Sequence, residues 1–303
     1  WAYDMIEWPD GQSLAPYQED ILSNLPIKKR VAFRGPHGSG KSCVMSIALL
    51  WFALTRDGED WKIPTTASAY RQLTKFLWPE IRKWSRRLRW DKLGRDPFDR
   101  RSELLMYSLK LSTGEAFAMA SDVPENMEGA HADHLLGEFD EAKTIPDATF
   151  DALEGALAGT GEALALAGST PGEPSGRFYD IHRRAPGTED WWTRHITMDE
   201  AIAAGRMARE WAEQRARQWG LGSAVYQNRV LGEFAASDED SVIPLAWVEA
   251  ANDRWREIMD DLEYDWPAFT AVGVDVGSGS ERADKTTLAL RQAHIISEIS
   301  RFQ

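Results

Sequence analysis

The chain has 303 residues, and its 43% apolar and 27% charged shares are those of a folded protein of about two domains, which excludes a fibrous or largely disordered chain. With 35 Lys+Arg against 48 Asp+Glu the formal charge is −13, so any grip on nucleic acid must come from a local patch rather than a global basic field. The one cysteine, Cys43, excludes an internal disulfide framework and fits a reducing compartment.

The longest nearly apolar run, Cys43 to Leu54, is too short to span a bilayer and reads as a buried helix or strand. The N-terminus shows no signal-peptide pattern. A start at Trp1 and a stop at Gln303 without punctuation are what a fragment would show. Arg30 to Arg34 reads as the first strand, followed by a Gly-rich turn and an apolar helix from Lys41 to about Thr55. Trp61 to Thr66 is a second strand. Ala69 to Trp90 reads as a helix with a basic face of Arg71, Lys75, Arg82, Lys83, Arg86 and Arg87. Leu104 to Leu111 and Ala116 to Ala120 form a hairpin. His134 to Phe139 and Ala163 to Ala167 are further short strands. Helical segments at Ser175 to Arg184 and Met198 to Trp219 follow, then a linker at Gly232 to Pro244 with an acidic run. A helix at Leu245 to Leu262 precedes a new β-pattern from Phe269 to Gly277. Strands alternating with helices predict an α/β fold with a mainly parallel sheet. The expected divisions are a core at 1–172, a small helical lid at 173–231, a linker and helix at 232–262, and the start of a second α/β domain at 263–303.

Gly35-Pro-His-Gly-Ser-Gly-Lys-Ser42 satisfies G-x-x-x-x-G-K-[ST] directly after a strand and directly before a helix, the context that a phosphate-binding P-loop requires. Backbone N–H groups from Gly35, Pro36's successor His37, Gly38, Ser39 and Gly40 curl around phosphate oxygens, and the helix N-terminus adds partial positive charge. Lys41 reaches the β- and γ-phosphates of ATP and Ser42 ligates Mg²⁺. Asp140, at the carboxyl end of an apolar strand, is placed to hold Mg²⁺ through water, and Glu141 to act as general base on the attacking water. Glu138 is a competing acid on Asp140's face, further back along the strand. Gln18 lies upstream of the loop, where an amide can meet an adenine edge. Gly168-Ser169-Thr170 closes a strand, and its hydroxyls are positioned to sense the γ-phosphate.

Gln18, the P-loop, Tyr70-Arg-Gln72, Asp140-Glu141, Gly168-Ser-Thr170 and the later Val274-Asp-Val-Gly277 together resemble the large terminase subunit of tailed bacteriophages. The resemblance runs from about Leu14 to the end of the chain. It implies an ASCE-type P-loop ATPase that pumps double-stranded DNA into a procapsid, followed by an RNase H-like nuclease domain that cuts the concatemer with Mg²⁺ or Mn²⁺. It also implies a portal protein and a small terminase subunit as partners, a homo-oligomeric ring on the procapsid in the host cytoplasm, and no membrane. By resemblance Asp275 is the first metal-binding aspartate of the nuclease and Asp284 a weaker neighbour. The remaining carboxylates of such a site lie beyond this sequence, so the chain as it stands is not expected to cut DNA.

Two departures put the source of positive charge on the transferring phosphoryl in question. His37 stands where the family usually has Arg, and Glu128-Gly129 stands where an Arg-Gly pair is frequent. Arg34, just before the loop, is the expected substitute and is assigned to the catalytic set with Lys41 and Glu141; Arg177 and Arg183 are the other candidates. Two readings compete: a helicase built on the Gln motif and Asp140-Glu-Ala142, with Ile181 to Arg184 its only hint of a second domain, and a non-catalytic docking subunit gated by nucleotide. The basic helix is the expected DNA contact, backbone-directed and salt-sensitive.

Overall fold

The computed structural model describes residues 1–120, 130–159, 161–235, 245–261, 264–275, 286–292 and 295–302. The chain divides into two compact units, Trp1–Ser237 and Asp238–Gln303. The expected linker at 232–244 brackets that division, and the helices between Gly172 and Leu231 fall within the first unit.

The first unit is built on a seven-stranded sheet in the order β3-β4-β2-β5-β6-β1-β7. The strands are β1 (Arg30–Arg34), β2 (Trp61–Ala67), β3 (Ser108–Lys110), β4 (Gly114–Ala120), β5 (His134–Asp140), β6 (Glu162–Ser169) and β7 (Trp192–His195). All neighbours pair in parallel except β3 with β4, the expected hairpin. Strand β7 was not expected: its four half-buried residues, Trp-Thr-Arg-His, carry no alternation for a period to register.

Side-chain alternation along the strands sorts the core into two layers. Val31 and Phe33 of β1, Leu136 of β5 and Leu164 and Leu166 of β6 share one cluster with α1 (Pro16–Lys28) and α2 (Lys41–Arg56). Ala32, Leu135, Phe139, Ala165 and Ala167 face the other way, toward α4 (Asp147–Leu157) and α5 (Gly176–His182). There Phe139 stacks on Phe150 at 4.3 Å. Each such fully buried large apolar side chain is worth about 1.5–3 kcal/mol of transfer free energy.

The basic helix expected over 69–90 is broken up. It runs as a short turn at Tyr70–Gln72, a π-turn at Leu73–Leu77 and α3 (Trp78–Ser85). Pro79 accounts for the wide turn, because it has no N–H to give and its ring crowds the carbonyl four residues back. The segment expected as one helix over 198–219 is two, α6 (Met198–Ala203) and α7 (Arg209–Trp219), parted at Gly205 with φ 66°. Ala201, Met207, Ala212, Tyr226 and Val230 give this region a small cluster of its own.

The second unit contains α8 (Leu245–Asp260) and an antiparallel sheet in the order β10-β9-β8, made of β8 (Phe269–Asp275), β9 (Thr286–Gln292) and β10 (Ile295–Phe302). Trp255 Nε1 donates to the Ile296 carbonyl at 2.8 Å. The β-pattern expected from Phe269 is borne out by β8, all seven of whose residues are exposed on an edge strand paired on one side only. No helix among the described residues is long and apolar enough to cross a membrane.

Candidate nucleotide site

In open parallel sheets ligands bind beyond the carboxyl ends of the strands. Here the register aligns those ends: Arg34 of β1 opposes Ser169 of β6, Gly168 opposes Asp140 of β5, and Asp140 opposes Ala67 of β2. The P-loop follows β1, Ser169 and Thr170 end β6, and Asp140-Glu141 ends β5. The strand with the expected sensor hydroxyls therefore lies between the phosphate loop and the acids. A cleft of about 850 Å³ opens here, lined by His37, Gly38, Gly40, Lys41, Ser42, Gln72, Asp140, Glu141, Thr170 and Arg206 among others. A larger open cleft of about 1350 Å³ lies by Trp61, Lys62, Gly114 and Glu115, at the amino ends of β2 and β4, away from every one of these groups.

Within the loop, Gly40 has φ 79°, a backbone conformation that favours glycine, and a Cβ there would stand 2.5 Å from Gln18 Nε2 and displace that side chain. Lys41 donates to the carbonyls of Gly35 and Pro36 at 3.2 and 2.8 Å. Enclosure lowers its pKa to about 8, opposed by the charges of Glu141 and Asp140, and leaves it protonated at neutral pH. Asp140 is 6% exposed and receives one backbone hydrogen bond, from Glu141 N–H at 3.1 Å. Burial, then the neighbouring charge of Glu141, pushes its pKa up to about 7. A carboxylate so poorly compensated, sharing a cleft with the Ser42 hydroxyl, is a donor set that suits Mg²⁺. That ion takes few protein ligands and completes its shell with phosphate oxygens and water. No cluster of three or more His, Cys, Asp or Glu set to hold a metal by itself occurs among the described residues.

Glu141 is held in the left-handed region, φ 50° and ψ 47°, a conformation that costs a non-glycine residue about 1–3 kcal/mol and concentrates at functional sites. Ser169 Oγ lies 3.2 Å from Glu141 Oε2 and 2.8 Å from the Thr170 carbonyl. Its single proton serves one acceptor at a time. Glu138 is fully buried, lies outside the cleft, and has neither carboxylate oxygen partnered.

Several expectations need correction. Gln18 is fully buried and its amide is committed to backbone: it accepts from Ala15 N–H at 3.0 Å and donates to the Gly40 carbonyl at 3.1 Å. It braces the loop instead of presenting itself to a base. Arg34 does not line the cleft. It shares the face of Ala32, opposite the α2 layer, and its Nη1 donates to the Gly232 carbonyl and Glu233 Oε2, both at 2.5 Å, with Phe234 under the guanidinium. Arg177 pairs with Asp151 at 2.7 Å and Arg183 with Asp180 at 2.8 Å, and neither lines the cleft. The cations that do are Lys41, Lys83, Arg87 and Arg206. Sequence reasoning put Lys83 and Arg87 on a DNA-facing helix and overlooked Arg206, although Gly205 before it is a signal for a turn. His37 does line the cleft, and burial, then Lys41 and Arg229, hold its pKa below the ordinary value, so it is neutral at pH 7. Asp275 ends an exposed strand in the second unit; Asp284 and Glu128-Gly129 lie outside the described residues.

A strand–loop–helix phosphate cradle, an Asp-Glu pair two strands away and a hydroxyl-bearing strand between them define an α/β P-loop ATPase fold. No family model matches the chain. It is 28% identical over 298 residues to the probable terminase large subunit of Enterobacteria phage P7, across 93% of this chain and 58% of that protein. The chain thus spans little more than half the length of that relative. Among solved structures it is similar to the large terminase of a thermophilic bacteriophage in complex with ADP, with TM-score 0.56 and 14% identity over 96% of this chain and 69% of that one. It is similar also to the Thermus phage P74-26 large terminase ATPase domain, with TM-score 0.54 and 19% identity over 74% and 95%, and to the HK97 bacteriophage large terminase, with TM-score 0.57 and 15% identity over 98% and 64%. These likenesses bear out the resemblance to large terminase subunits.

Proposed function

We propose that the chain is the ATPase-bearing part of a viral DNA-packaging motor, which hydrolyses ATP to drive double-stranded DNA into a procapsid. The observation that carries this reading is the convergence of Lys41, Ser42, Asp140, Glu141 and Thr170 on one cleft at the carboxyl ends of adjacent strands. Lys41, now held by loop carbonyls, turns its charge to the β- and γ-phosphates. Ser42 and Asp140 would hold Mg²⁺, which when bound would supply neutralisation of charge on the phosphate oxygens. Glu141 orients the attacking water and takes its proton at a carboxylate oxygen. Thr170 lines the cleft, and behind it the Ser169 hydroxyl can donate either to Glu141 or to the Thr170 carbonyl, so a change at Glu141 on hydrolysis is passed to the strand that joins the loop to the acids.

By resemblance the second unit begins the RNase H-like nuclease, with Asp275 the first of its metal-binding acids. The partners would be a portal protein, a small terminase subunit and further copies of this chain in a ring docked on the procapsid in the host cytoplasm. A pump must accept every sequence, so its DNA grip acts on the backbone. Steady-state hydrolysis tests this: Mg²⁺-dependent turnover should rise on addition of double-stranded DNA of any sequence, and that stimulation should fall steeply with salt. Turnover that responds only to single-stranded nucleic acid would favour a helicase instead.

A further inference from the structure

With Arg34, Arg177 and Arg183 all paired elsewhere, Arg206 is the cleft's arginine contributed by the region of the small third cluster. Gly205 turns the chain between α6 and α7, and Arg206 then lies against the phosphate loop: its carbonyl oxygen is 3.6 Å from where a Cβ on Gly38 would stand. The guanidinium is poorly occupied. Nη2 makes one long hydrogen bond to the Ser13 carbonyl at 3.3 Å, Nε is buried without a partner, and no carboxylate among the described residues pairs with it. Proteins seldom leave such a donor unmet, and the residue that carries it lines the nucleotide cleft.

Its position selects one end of the nucleotide. Arg206 bonds to the Ser13 carbonyl, on the segment that leads into α1, and shares the cleft wall with Gly38 and Gly40 of the loop and with Cys43 in the first turn of α2. The lysine of a P-loop reaches the β- and γ-phosphates, while the loop and the start of its helix cradle the α- and β-phosphates. We propose that Arg206 is a nucleotide-holding residue that binds the α/β-phosphate end of ATP or ADP and so fastens residues 198–231 onto the bound nucleotide. The proposal rests on the reading of the cleft as an ATP site. A guanidinium suits this task, since its planar fork matches two phosphate oxygens at once. ATP and ADP share that end, so the residue acts on affinity for both and not on cleavage of the γ-phosphoryl group.

The test is calorimetric titration with ADP together with kcat and KM for ATP, for wild type, Arg206→Ala and Arg206→Gln. Expected is a rise on the order of tenfold or more in both the ADP Kd and the ATP KM, with kcat at saturating ATP within about twofold of wild type. Arg206→Gln keeps a donor for the Ser13 carbonyl and should show the same loss, which keeps the test in force if the alanine variant does not fold. Unchanged ADP affinity in both variants would overturn the proposal. So would a fall in kcat with ADP affinity intact, which would make Arg206 a group acting on phosphoryl transfer. If the wild-type protein binds no ADP, the ATP-site reading falls and takes this inference with it; wild-type binding with unaffected variants sinks the inference alone.

Discussion

Gln18 and Glu138 are both fully buried polar side chains of the first unit, and they differ in whether their polar atoms are met. Both halves of the Gln18 amide are engaged, and one of them holds the Gly40 carbonyl at the turn of the loop. Gln18→Ala should therefore lower affinity for ATP and GTP by the same factor, because it loosens the loop common to both. Competition binding of the two nucleotides measures this, and a loss confined to ATP would restore the adenine contact expected from sequence. Glu138 has both oxygens unpartnered, and burial, reinforced by Asp140, holds its pKa well above the ordinary value. The native state thus keeps a proton that the unfolded chain releases above about pH 4.3. Its stabilising contribution is complete below that pH and is lost as pH rises toward the native pKa, at about 1.4 kcal/mol for each unit between the two values. Glu138→Gln, which has no proton to lose, should match wild type in urea melts at pH 4 and exceed it at pH 8. A difference independent of pH would mean that Glu138 is not held neutral.

At the level of elements, β1, β2, β5 and β6 were legible because each is a short apolar run ended by a chemically distinct turn, and the P-loop dictates the strand before it and the helix after it. The face of Arg34 was not legible. Alternation groups Arg34 with Ala32, but the layer that α2 covers is decided by packing, and α2 covers Val31 and Phe33. Arg34 accordingly ties β1 to residues 232–234. Arg34→Ala should cost about 1–3 kcal/mol of stability through its lost charged hydrogen bonds, and leave kcat within a few-fold of wild type. A thermal melt paired with a turnover assay checks both halves, and a stable variant with a collapsed kcat would return Arg34 to the active site. The π-turn at 73–77 and the break at Gly205 escaped for a related reason. Pro79 and Gly205 each announce an irregularity, but its geometry and the side chains it redirects depend on contacts far away in sequence.

Over the whole molecule, every residue lining the nucleotide cleft falls in the first compact unit. A protein comprising residues 1–237 should then keep its ATP turnover within a few-fold of the 303-residue chain, measured in the same assay without DNA. The order of motifs along the chain revealed the class of fold, because each motif closes a strand whose end must face the same cleft. What the order could not reveal was which cation completes the site, since Arg206 arrives from a separate cluster about 165 residues after Lys41. In the proposed site a lysine holds phosphate and a glutamate activates water. Nucleotide binding and Mg²⁺-dependent turnover, measured together in Lys41→Ala and Glu141→Gln, separate the two roles. Lys41→Ala should lose both, and Glu141→Gln should bind ATP like wild type while turning over about 10²–10⁴-fold more slowly; wild-type turnover in Glu141→Gln would contradict the account.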